Sequence, residues 1–294
     1  MHRIFLNGNQ LHKGSVIKSI PIRLYCVLLS VFFGCAGYVY EGTQKAETLR
    51  HQLDGRRDIA RQYLMAGTEY QTSLYLFDSG VPGPSVLILG GTHGDEPAGY
   101  EAALRLVDRF CSETLLRGKL YIIPEANRNS VQHYRRRIRV PYGNDIERGN
   151  LNRSYPGKAD GLPMEQLAFQ IGQLVLDNDI SVLIDLHEAL NFHLDIEESA
   201  DRKGLGQTII YYPNEPSAWL LMNLLSEINQ TISDNRQKFS ALEQPIEHSA
   251  SWWAGKYAGI AGFTFETARK NPLDIRIGYH LKLVGIALRT EGMI

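Results

Sequence analysis

The sequence predicts an α/β domain of three layers, α/β/α, with helices on both faces of a mostly parallel mixed sheet. Three observations carry that prediction. Continuous apolar runs at Ser85–Leu89 and Ile180–Leu186 suit central strands covered on both faces. Segments with helical spacing of apolar residues lie between the strand-like runs, the alternation that crossover helices impose on parallel sheets. Glycine and proline mark the changes, as in Gly80–Pro84 and Gly90-Gly91.

Each element follows in order. Thr72–Phe77 alternates weakly, like an edge strand, and Ser85–Leu89 is the first central strand. A helix starts at Pro97, since proline is tolerated where the first backbone N–H has no partner. It runs to Phe110 with Ala103, Leu106, Val107 and Phe110 on one face. Lys119–Ile123 is a strand, and Glu125–Gly157 a long polar, arginine-rich connection. Met164–Leu176 is a helix, Ile180–Leu186 a second central strand, Gly206–Tyr212 a strand and Ser217–Ile232 a helix. After Trp252-Trp253 come a strand, Gly262–Glu266, and a closing helix, Ile275–Leu288.

The chain has 294 residues, 21% charged and 44% hydrophobic. This excludes a disordered, collagen-like or multi-span membrane protein. Charge is unevenly spread. Residues 1–40 hold Arg3, Lys13, Lys18 and Arg23 and no acid, a net of +4, whereas the remainder carries −5. A body of that sign lacks the basic stripe of a nucleic-acid binder, so no nucleic-acid partner is expected. From Leu24 to Tyr40 run 17 uncharged residues, with basic residues before them and Glu41 after. That layout predicts a secretory signal or an N-terminal membrane anchor that delivers the body out of the cytoplasm, to a periplasmic, extracytoplasmic or membrane-anchored position. Residues 41–70 are charged and rich in helix formers and are expected to form a helical stalk, leaving 71–294 as the main domain. Cys111 is the only cysteine beyond the apolar segment, so no internal disulfide framework is expected in the body.

In open α/β sheets, ligands bind beyond the carboxyl ends of the strands, and here three strands end in reactive side chains. The first runs into Gly91-Thr92-His93-Gly94-Asp95-Glu96. His93 and Glu96 can converge on one ion across the glycine-containing turn; alternatively, Glu96 is a first-turn helix charge and His93 a loop residue. The second strand runs into His187, with Asp185 two places earlier and so on the same side, placed to orient the imidazole. The third places Thr264 and Glu266 opposite Phe263 and Phe265. A carboxylate among aromatic strand residues is costly to bury unless it is paired or used. Glu266 is therefore the candidate general base, or else an ion-pair partner of Arg269 or Lys270. In the arginine-rich connection, most of Arg135–Arg139 reads as a solvated or membrane-facing basic patch. Asn152-Arg153, held by the Tyr-Pro-Gly turn that follows, suits capture of a carboxylate.

In this order the segments GGTHGDEPAG (Gly90–Gly99), NLNRSYPG (Asn150–Gly157), IDLHEA (Ile184–Ala189) and FTFETA (Phe263–Ala268) resemble the succinylglutamate desuccinylase/aspartoacylase family, within the zinc carboxypeptidase superfamily. The resemblance implies a zinc carboxypeptidase-like fold and one Zn2+ ion held by His93, Glu96 and His187. It also implies Glu266 as the catalytic base, Asn152 and Arg153 as carboxylate binders, and an upstream arginine that polarises the scissile carbonyl. Arg139 is the choice for that arginine, with Arg137 and Arg148 as rivals. The sequence departs from the family pattern at Asn150, where an aspartate usually opens the Asp-Leu-Asn-Arg motif, and at Asp95, where many relatives have asparagine. No pocket tyrosine precedes Trp252-Trp253; His248 stands there.

The expected function is zinc-dependent hydrolysis of an amide bond beside a free carboxylate, by a protein joined to the membrane through its N-terminal segment. Partners would be a small acylated amino acid or a peptide with a free carboxylate. Motif spacing favours a deacylase. The 28 residues after Glu266 hold a closing helix but not the β-rich domain of the dedicated deacylases, which favours an open cleft and a peptide. The alternative is a non-catalytic, membrane-tethered zinc- or peptide-binding protein of the same fold, against which the complete set of three ligands plus Glu266 speaks.

Overall fold

The strands are β1 Ala60–Leu64, β2 Thr72–Asp78, β3 Ser85–Leu89, β4 Lys119–Ile123, β5 Ile180–Ala189, β6 Thr208–Tyr211, β7 Ser240–Glu243 and β8 Ala261–Ala268. They hydrogen-bond in one mixed sheet, ordered β1-β2-β4-β3-β5-β8-β6-β7. The central block β4-β3-β5-β8 is parallel throughout; β1/β2, β2/β4 and β6/β8 are antiparallel. The helices are α1 (residues 45–55), α2 Pro97–Phe110, α3 Arg128–Gln132, α4 Pro163–Asp177, α5 Glu215–Gln230, α6 Ala250–Lys256 and α7 Leu273–Thr290. This computed structural model describes residues 45–56, 60–194, 204–243 and 245–294, which lie within one compact unit spanning Gly42–Ile294. The expected targeting segment, residues 1–40, lies outside the described residues.

The sheet divides the core in two. On one side, Val86, Ile88, Val182, Ile184, Phe263 and Phe265 pack with α1, α2, α5 and α7. On the other, Leu87, Leu89, Tyr121 and Leu183 pack with α4, α6 and the Leu151–Tyr155 segment. The three-layer expectation therefore holds. All five residues of β3 are buried, and each such aliphatic side chain contributes about 1.5–3 kcal/mol relative to exposure. Alternation along a strand places Asp185 and His187 on the α4/α6 side with Leu183, and Thr264 and Glu266 opposite Phe263 and Phe265. These polar residues interrupt an apolar face only near the carboxyl ends of β5 and β8, which are cross-strand neighbours there: Asp185 faces Thr264 and His187 faces Glu266.

Two expectations change. Residues 41–70 are not helical throughout, because β1 follows α1 and pairs antiparallel with β2, so β1 rather than β2 is the edge. Helix α1 is docked: Ala46 and Leu53 are buried in the core with Leu49 against it, and the Arg50 guanidinium donates to the buried Glu125 carboxylate (Nε–Oε2 2.9 Å). The i, i+3, i+7 spacing of those apolar residues was masked by the charges between them. The second change concerns the connection from Glu125 to Gly157. It contains α3, whose first turn is capped by the Asn127 side chain, and a short 3-10 turn at Leu151–Arg153 capped by Asn150.

Candidate metal centre

The turn after β3 delivers the first two site residues. Gly91 has a positive φ of 65°, which a residue with a side chain adopts only with strain, and the chain then passes under α3. At Gly94 a Cβ atom would meet the Ser130 carbonyl, so glycine is required there for close approach rather than for an unusual dihedral angle. Glu96 occupies the N-cap position of α2 but makes no side-chain cap bond. Its carboxylate turns inward instead, between two imidazoles.

That carboxylate organises the site. Glu96 Oε1 lies 2.8 Å from His93 Nδ1 and Oε2 lies 2.9 Å from His187 Nδ1. All three residues are buried, and one potential ligand atom from each falls within 4.8 Å of the others. The far nitrogens face other partners. His93 Nε2 is 3.0 Å from Asn150 Oδ1, and His187 Nε2 is 2.9 Å from Asp185 Oδ2. Thr92 Oγ1 donates to the other Asp185 oxygen at 2.8 Å. Each Nδ1–H points to a Glu96 oxygen, and with that proton released the same atom offers a lone pair to a shared ion. Two imidazoles and one carboxylate converge from the end of β3, the start of α2 and β5, the donor types and number that open zinc sites use. The donors present therefore fit such an ion.

The field of the cluster is negative. Burial works to raise the Glu96 carboxyl, but the adjacent His93 and His187 outweigh it and hold it well below the ordinary glutamate range. Burial likewise works to lower His187, yet the flanking Asp185 and Glu96 carboxylates drive it well above its usual value. A site that favours positive charge on a buried imidazole favours a bound cation for the same reason.

Glu266 adjoins this group from β8. It is 9% exposed, and its Oε2 makes no hydrogen bond among the described residues. Burial, with Glu96 and Asp185 nearby, pushes its carboxyl up to about 7 against the opposing pull of His187 and Arg136. A carboxyl group with a proton affinity near neutrality, beside an open metal site, is equipped to take and return a proton.

The arginines sort differently from expectation. Arg136 and Arg139 are both exposed and line a 640 Å³ cleft with Asp95 and Tyr134, but of the two it is Arg136 whose Nη1 reaches Glu96 Oε1, at 2.9 Å. Arg136, not Arg139, is thus the guanidinium that this fold brings to the centre. The rivals are engaged elsewhere, Arg137 with Glu147 and Arg148 with Glu165 at 2.8 Å. Arg136 was missed because sequence spacing within a run of four arginines cannot reveal which one a loop turns inward. Its only local signal is its place after Arg135, whose backbone carbonyl accepts from Gly94 N at 2.8 Å and so ties this run to the ligand turn. Asn152 and Arg153 lie in the 3-10 turn that Asn150 caps, which links them to His93. Arg153 has no ion pair with a carboxylate among the described residues; burial and the nearby Arg136 lower its pKa, with Glu147 opposing. Tyr155, the first residue of the Tyr-Pro-Gly turn, is fully buried, and burial and Asp185 raise its hydroxyl well above the usual tyrosine range.

Comparison with known proteins agrees with this geometry. Residues 82–201 match the family model of the Succinylglutamate desuccinylase/Aspartoacylase catalytic domain. A 105-residue stretch is 34% identical to N-alpha-acetyl-L-2,4-diaminobutyric acid deacetylase of Halomonas elongata, covering 36% of this chain and 28% of that protein. Among solved structures, tripeptide-bound cell shape determinant Csd4 of Helicobacter pylori superposes with a TM-score of 0.63 at 19% identity, over 76% of this chain and 56% of that one. Its mDAP-bound form is described as a D,L-carboxypeptidase. The product-bound ectoine utilization protein EutE (DoeB) of Ruegeria pomeroyi superposes with a TM-score of 0.58 at 20% identity, over 81% and 69% of the two chains. The chain thus spans little more than a quarter of the curated relative and just over half of Csd4. At these identities the solved structures establish the shared fold. The match to the succinylglutamate desuccinylase/aspartoacylase catalytic-domain model extends over residues 82–201 and takes in the motifs at Gly90–Gly99, Asn150–Gly157 and Ile184–Ala189.

Proposed function

We propose that this protein is a zinc-dependent hydrolase that cleaves an amide bond adjacent to a free carboxylate. The observation that carries the reading is the convergence of His93, Glu96 and His187 with Glu266 alongside them. Bound there, a zinc ion supplies Lewis-acid stabilisation of the developing oxyanion and acidifies water. Everything else falls to the chain's own groups. Glu266, raised toward neutrality, accepts the proton of the attacking water at its carboxylate and returns it to the leaving amine. Arg136 stands where a guanidinium can donate to the carbonyl oxygen as charge develops. Arg153 and Asn152 hold the substrate carboxylate, and the unused Asn152 Oδ1 is free to take a substrate N–H. The deacetylase relative supports a small acylated amino acid and the Csd4 structures a peptide; both carry an amide and a carboxylate.

The test is the Glu266→Gln variant, assayed on a panel of N-acyl amino acids and peptides with free C-termini. Turnover should fall by about 10²–10⁴ while zinc content stays at the wild-type level. Hydrolysis at the wild-type rate by that variant would remove Glu266 from the chemistry. The basic, apolar start of the chain supports delivery across a membrane; fractionation of the full chain, with the body expected outside the cytoplasm, tests that part.

A further inference from the structure

The two imidazoles of the centre are backed unequally. His187 Nε2 meets the Asp185 carboxylate directly. His93 Nε2 meets the neutral Asn150, which is 1% exposed. The Asn150 oxygen also accepts from Asn152 N at 3.0 Å, while its Nδ2 donates to Glu147 Oε2 at 2.8 Å. Glu147 in turn pairs with Arg137. A chain of contacts therefore runs from His93 through the Asn150 amide to a carboxylate one step farther out. An aspartate at position 150 would set two carboxylates against each other at the distance now spanned by a hydrogen bond, which is strongly unfavourable. The amide turns that repulsion into an attraction, because it accepts on the side of His93 and donates on the side of Glu147.

We infer, on the metal reading above, that Asn150 and Glu147 act together as a relayed backing for His93, with Asn150 the positioning residue that directs Nδ1 toward the cation. The departure from aspartate at position 150 and the presence of Glu147 three residues earlier are then one feature. Loss of an outer partner of this kind costs about 10- to 100-fold in metal affinity.

Zinc dissociation constants of the full chain, measured by competition with a chromophoric chelator, test this in five proteins: the wild type, Asn150→Leu, Glu147→Gln, Asn150→Asp and the Asn150→Asp/Glu147→Gln double variant. Thermal melting of each metal-free protein checks folding. Asn150→Leu should bind zinc about 10- to 100-fold more weakly than the wild type. Glu147→Gln should weaken binding in the wild-type background and strengthen it in the Asn150→Asp background, because the neighbour it relieves has changed from a donor to a like charge. A Glu147→Gln effect of the same sign in both backgrounds overturns the relay, as does unchanged affinity in Asn150→Leu. Failure of the wild type to bind zinc overturns the metal reading itself, and the inference with it.

Discussion

Arg136 and Arg139 are three positions apart, yet only Arg136 touches the Glu96 carboxylate. Arg136→Ala should therefore lower kcat/KM by about 10²–10³, the cost of removing one oxyanion donor, while Arg139→Ala should stay within about twofold; steady-state kinetics of the pair decides between them. As the proposed base, Glu266 should set the pH dependence. Its carboxyl is pushed up to about 7 and a base acts only when deprotonated, so kcat/KM should rise with pH along an acid limb of unit slope. A bound cation draws that limb down, which places its midpoint between the ordinary glutamate value and about 7; a profile without such a limb removes Glu266 as the base. His93, Glu96, His187 and Glu266 stood out in the sequence because each lies at or just beyond the carboxyl end of a buried strand, where a polar side chain needs a reason. The nearness of Asp185 to His187 was legible from their two-residue spacing. Arg136 was not, because loop conformation is set by tertiary contacts such as Gly94 N to Arg135 O.

Helix α1 is an integral part of the domain, and Leu53, 1% exposed, is its largest buried anchor. Leu53→Ala should cost about 2–5 kcal/mol in urea unfolding; a value under about 0.5 kcal/mol would mean that the helix is not docked. Helix α7 carries a buried histidine beside Thr267. Burial, together with the nearby His187 and Arg276, lowers His280 to about 3, so the folded state keeps it neutral while the unfolded chain protonates it near its ordinary value. The sign follows: His280 imposes no penalty above about 6.5, and stability falls by about 1.4 kcal/mol per pH unit as pH drops below that toward 3. Unfolding titrations across this range should show a slope reduced by one proton in His280→Gln. The central strands and the long helices α2, α4, α5 and α7 were readable from apolar periodicity. By contrast, β1 and β7 carry little apolar signal because they are sheet edges with largely exposed side chains, and α6 has only seven residues.

The whole molecule presents its chemistry at one rim of the parallel block, where β3, β5 and β8 end and the two polar loops at 91–96 and 126–157 meet. The sheet holds His187 and Glu266 in register, the α2 N-terminus supplies Glu96, and the capped turn at Leu151–Arg153 supplies Asn152 and Arg153. That arrangement gathers three buried side chains, His93, Glu96 and His187, at which a single divalent cation is proposed to bind beside Glu266. Equilibrium zinc titration of the metal-free full chain, compared with His187→Ala and Glu96→Ala, tests it most directly. One zinc ion should bind per wild-type chain, with a rise in melting temperature that grows with free zinc, and both should be lost in either variant. A wild-type chain that takes up no zinc, or variants that bind it as tightly as the wild type, would contradict it.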